Sequence, residues 1–99
     1  MDSVLEEKWF AMSLVQQMVN IGNEVKRAVK FDVDSSKKAM FLDRAIQYTQ
    51  LTMKDPKNRQ VLPELHISKE VLEDYRGEHV LNCTKEQINN YYSAYVNLL

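Results

Sequence analysis

Residues 51–68 read LTMKDPKNRQVLPELHIS, and the fold turns on whether KDPKNR is a loop that grips phosphate or a corner between two helices. Asp55-Pro56 has the form of a helix cap followed by proline at the first helical position, where the missing N–H does no harm. Beyond it, Val61, Leu65, Ser68, Leu72 and Tyr75 share one face at helical spacing. Pro63 falls inside this segment and predicts a kink, or a short separate turn over 56–62. A phosphate site would draw on Lys54, Lys57 and Arg59 with the free N–H groups of the new helix. Proline at the first position removes one of those donors, so the corner is the better reading.

Working outward, three more segments carry helical periodicity. Upstream of the corner, Ala39, Leu42, Ala45, Ile46, Thr49 and Met53 form a stripe, with Phe41 and Tyr48 on one flank. Asp34, Ser35 or Ser36 can cap this helix. Before it, Val4, Ala11, Val15, Met18, Gly22, Val25 and Val29 share a face, which predicts one helix over 4–30. Ser3 with Glu6 fits a capping box there, and Asp2, Glu6 and Glu7 suit a positive helix N-terminus. Gly22 lies within the apolar stripe, a cost that close approach of a neighbouring helix would justify. Downstream, Gly77 is placed to end the third helix. Thr84 and Gln87 form a capping box before a last stripe of Ile88, Tyr91, Tyr92, Tyr95 and Leu99. Four amphipathic faces joined by short connections predict an all-α, four-helix up-down-up-down bundle, its third helix kinked or broken near Pro63.

The composition agrees. With 99 residues the chain, 1–99, makes one domain. Two glycines and two prolines are too few for the turns of an all-β fold. Thirteen basic and fourteen acidic groups give a formal charge of −1 and no long-range pull toward nucleic acid or an acidic membrane. Cys83 stands alone, which excludes an internal disulfide and points to a reducing, cytoplasmic setting. The opening MDSVLEEKWF has acids where a signal peptide carries bases, and no run approaches a bilayer span.

The stretch LDRAIQYTQLTMKDPKNRQVLPEL (42–65), followed by VLEDYRG (71–77) and NNYYSAY (89–95), resembles a small family of bacterial proteins. The similarity covers roughly residues 40–95 and rests on an RAIxxxxLTxxDPKN pattern; beyond it, Pro63 departs from the helix-forming residues the resemblance implies there. It implies a bacterial, cytoplasmic helical bundle. No function is attached to the family, so the resemblance transfers no active site.

No constellation calls for catalysis, and none implies a cofactor or a metal. In DVDSS, Asp32, Asp34 and Ser36 match the first positions of a calcium loop, but Lys37 stands where glycine is needed and Asp43 where glutamate is. His79 and Cys83 are two possible ligands at no standard zinc spacing, and His66 lies on another face. Glu6, Glu7, Glu70, Glu73 and Asp74 read as solvated surface rather than an acid–base pair. At one bundle end, Glu6 and Glu7 meet the 54–59 corner. At the other, Lys26, Arg27, Lys30, Lys37 and Lys38 face Glu70, Glu73, Asp74 and Glu78, so opposite signs meet at both ends.

The tryptophan is harder to place. On a straight first helix Trp9 lies opposite the main stripe, with Leu5 and Met12 beside it. Either the N-terminal turns bend around the bundle end, or Leu5, Trp9 and Met12 meet another chain, a protein partner or a second copy. The expectation is a non-enzymatic interaction module using that patch. The alternative is a nucleic-acid-binding accessory protein using the basic 26–38 corner, which the charge balance disfavours.

Overall fold

The computed structural model describes residues 3–77 and 79–99. Those residues form five α-helices and one 3-10 segment: α1 (Ser3–Phe10), α2 (Leu14–Lys30), α3 (Ser35–Lys54), the 3-10 turn Pro56–Val61, α4 (Leu62–Arg76) and α5 (Lys85–Val96). There is no strand among them.

The expected helix over 4–30 is two helices. Ser13 leaves helical geometry (φ −68°, ψ 163°), its hydroxyl accepts from the Gln16 N–H, and the Gln16 side chain accepts from the Ser13 N–H. This capping box starts α2 afresh and frees α1 to take its own direction. Val4, counted in the expected stripe, is 53% exposed as a result. Ser3 is the first residue of α1, and Asp2, expected near this terminus, lies outside the described residues.

The remaining start signals act as read. The Asp34 carboxylate accepts from the Lys37 N–H at the start of α3, and Thr84 and Gln87 exchange both bonds of their capping box at the start of α5. Asp55 caps the 3-10 turn, with Pro56 in its first positions. That turn runs directly into α4, where Pro63 occupies the first turn. Proline there meets no helical carbonyl four residues back, so the break comes before Pro63 and α4 is not kinked at it. Gly77 ends α4 with a negative φ, while the left-handed positions of the next loop fall on His79 (φ 56°) and Asn82 (φ 58°).

Met18, Ile21, Val25 and Ala28 of α2 meet Leu42, Ala45 and Leu51 of α3, Leu65, Leu72 and Tyr75 of α4, and Ile88 and Tyr92 of α5 in one core. Leu51 belongs to it although it lies off the stripe read for its helix, because α3 packs on both α2 and α4. Leu99, by contrast, is exposed. Gly22 is where α2 and α5 close on each other: a Cβ there would come within 2.7 Å of the Tyr92 Cβ.

Candidate functional site

Two places in this frame bear on function: the polar corner around Asp55 and the seam between α4 and α5. The corner is built from three segments. Trp9 is 4% exposed and its indole N–H donates to the Thr52 hydroxyl at 3.0 Å, while its ring stacks on Tyr48. The Gln17 side-chain amide donates to the Trp9 carbonyl and to the Asp55 carboxylate, both at 2.9 Å. The Asn58 amide donates to Gln17 Oε1 and to the Thr52 carbonyl. Lys57 closes the outer side with its ammonium on Asp55 and on the Phe10 carbonyl. Gln17, Thr52, Asp55 and Asn58 are all buried, so desolvated polar groups here find partners in one another.

Burial alone would push the Asp55 carboxyl up. The bonds from Lys57, Gln17 and the Lys57 backbone N–H, with the charge of Lys57, outweigh it and hold Asp55 below the ordinary carboxylate range. KDPKNR is therefore a corner, yet not a wholly solvated one. In the LTxxDPKN pattern Leu51, Thr52, Asp55 and Asn58 face inward, and the cations Lys54 and Lys57 are engaged by Glu6 and Asp55.

This packing corrects the expected patch of Leu5, Trp9 and Met12. The break at Ser13 carries α1 across the end of α3, and Trp9 turns into the core. Met12 is half-buried against that core and only Leu5, at 37%, remains exposed. Tryptophan is thus not presented at the surface.

At the opposite end Asp32 accepts from the Tyr75 hydroxyl at 2.7 Å and pairs with Lys38 and Lys85. The Tyr75 bond holds its carboxyl below the ordinary range, against the effect of burial and with help from the two lysines. Asp34 is spent on the cap of α3, so of the two aspartates of DVDSS one starts a helix and the other, Asp32, ties α3, α4 and α5 together. Arg27 pairs with Glu24, Lys30 and Lys37 lie over the Phe31 ring, and Lys38 over the Tyr75 ring. Of the acids expected to oppose these cations, Glu73 pairs with Lys69 and the Asp74 carboxylate accepts from the Val80 and Leu81 N–H groups, while Glu78 lies outside the described residues. The His79 ring nitrogen donates to the Cys83 backbone carbonyl at 2.8 Å. Among the described residues no group of three or more His, Cys, Asp or Glu side chains could hold a metal ion.

The second place is a groove. α4 packs closely on α3 and α5 on α2, while the backbones of α4 and α5 stand further apart and meet only through side chains. The space between them is about 380 Å³. Ile67, Ser68 and Val71 of α4 form one wall, and Ile88, Tyr91 and Tyr92 of α5 the other. Cys83 and Gln87 continue the second wall, and Glu64 lies at the rim. Tyr91 bridges the gap by donating to Glu64 at 2.8 Å. Burial raises the hydroxyl pKa of both Tyr91 and Tyr92, so both are neutral at physiological pH. Ile67 is 62% exposed at the lip. Stripe analysis could place Ile88, Tyr91 and Tyr92 on one face, but an opening is a missing helix–helix contact and leaves no mark in a single helix's periodicity.

No helix of the described residues is long and apolar enough to cross a membrane. No family model matches the chain, and no curated protein or solved structure matches it.

Proposed function

We propose that this protein is a non-enzymatic binding module: an up-down-up-down bundle of α2 to α5, with α1 folded over one end, that receives a protein helix between α4 and α5. The observation that carries the reading is the apolar seam with Ile67 exposed at its edge. Apolar concavities of this size in a small protein are the usual seats of ligands and partner helices. The polar groups elsewhere are consumed in caps, in the Asp55 corner and in the Asp32 tie.

A neutral apolar dye tests it. The dye should bind the folded protein at about one per chain and lose that binding in Ile67→Asp, a surface substitution that leaves the core intact. Absence of dye binding, or binding indifferent to Ile67→Asp, contradicts the proposal. Light scattering on the same two proteins reads whether the occupant is a second copy.

A further inference from the structure

The charge around the seam is one-sided. Glu64 lies at its rim, where it accepts from Tyr91, and helical spacing puts Glu70 on the outer edge of α4 beside Ile67. The two basic residues of α4 are already paired, Lys69 with Glu73 and Arg76 with Asp43. Along α5 the lining residues Gln87, Ile88, Tyr91 and Tyr92 carry no charge. An apolar slot edged by acid on one side and neutral on the other selects against an acidic occupant and for a basic one.

Resting on the binding-module reading above, we infer that the occupant is a basic amphipathic helix of another protein, with an apolar stripe that fills the slot and Lys or Arg on the flank facing α4. A second copy of this chain fits less well, because apposing α4 edges would bring like charges together. The walls run from Glu64 to Val71 on α4 and from Gln87 to Tyr92 on α5, a slot about 10 Å long, or about two turns of helix. Three apolar anchors at i, i+3 or i+4, and i+7 span that length. The flanking cations would sit opposite Glu64 and Glu70 at an exposed rim, where such pairs mainly set specificity and association rate.

The test uses two labelled synthetic helices of equal length and the same leucine stripe, one flanked by lysine and one by glutamate, titrated into the full chain by fluorescence anisotropy. The lysine peptide should bind about tenfold tighter at low salt. That preference should shrink in Glu64→Gln/Glu70→Gln, and binding should vanish in Ile67→Asp. Equal binding of both peptides, abolished by Ile67→Asp, overturns the charge inference while leaving the groove as the binding site. No binding of either, or binding that Ile67→Asp does not weaken, overturns both. Concentration-dependent dimerisation that Ile67→Asp abolishes would make a second copy the occupant and also overturn the inference.

Discussion

Asp55 satisfies three donors with one carboxylate, from Gln17 and from the backbone and ammonium of Lys57. Asp55→Asn keeps the shape and places an amide where those donors need an acceptor. It should lower stability by about 1–3 kcal/mol, read as a lower urea midpoint with unchanged slope. Gly22 is the complementary case, set by space rather than by polarity. A methyl group there would collide with the Tyr92 Cβ. Gly22→Ala should therefore destabilise by about 1–2 kcal/mol despite the gain in helix propensity, and a rise in melting temperature would show that α2 and α5 do not approach as described. Gly22 was readable in the sequence, because a glycine inside an apolar stripe has few other reasons to be there. The Asp55 corner was readable only as a cap. Gln17, Thr52 and Asn58 are ordinary polar residues until three segments bring them together.

Among the elements, the stripe of α4 and the capping box of α5 were the most legible. Leu65, Ser68, Leu72 and Tyr75 are all buried as the spacing predicts, and Thr84 and Gln87 cap α5, although α4 itself starts without a side-chain cap and Leu99 is exposed. The N-terminal helix was the least legible. Ser13-Leu14-Val15-Gln16 is a capping-box sequence, but it interrupts a run whose apolar period continues through it, so the period masked the stop. Of the two readings left open for Trp9, the break at Ser13 selects the one in which the N-terminal turns bend around the bundle end. Ser13→Ala removes the cap and should cost about 1 kcal/mol. Pro63, in the first turn of α4, should be nearly dispensable: Pro63→Ala should change stability by no more than about 0.5 kcal/mol, and a large loss would mean the proline shapes the 3-10 junction.

Across the molecule, ionisable ties at the two ends set how stability follows pH. The folded-state pKa values of Asp55 and Asp32 lie below their unfolded values. Their contribution is thus present above about pH 4 and fades as pH falls through the folded values. Tyr75, Tyr91 and Tyr92 are raised in the fold, so their contribution is complete below about pH 10 and is lost as pH rises beyond it. Melting temperatures should form a plateau between these limits, and Asp55→Asn should flatten the acid limb; an acid limb of unchanged steepness would remove Asp55 from the account. The helical class of the fold was written in the four stripes. The open seam was not, since it depends on how far α4 and α5 stand apart once each has packed on its other neighbour. Trp9 is the single tryptophan of the chain, and it reports directly on the corner that folds α1 inward. Its fluorescence in the native protein should be blue-shifted and shielded from acrylamide, becoming solvent-like only on unfolding; native emission and quenching like those of free tryptophan would contradict the corner and return Trp9 to the surface.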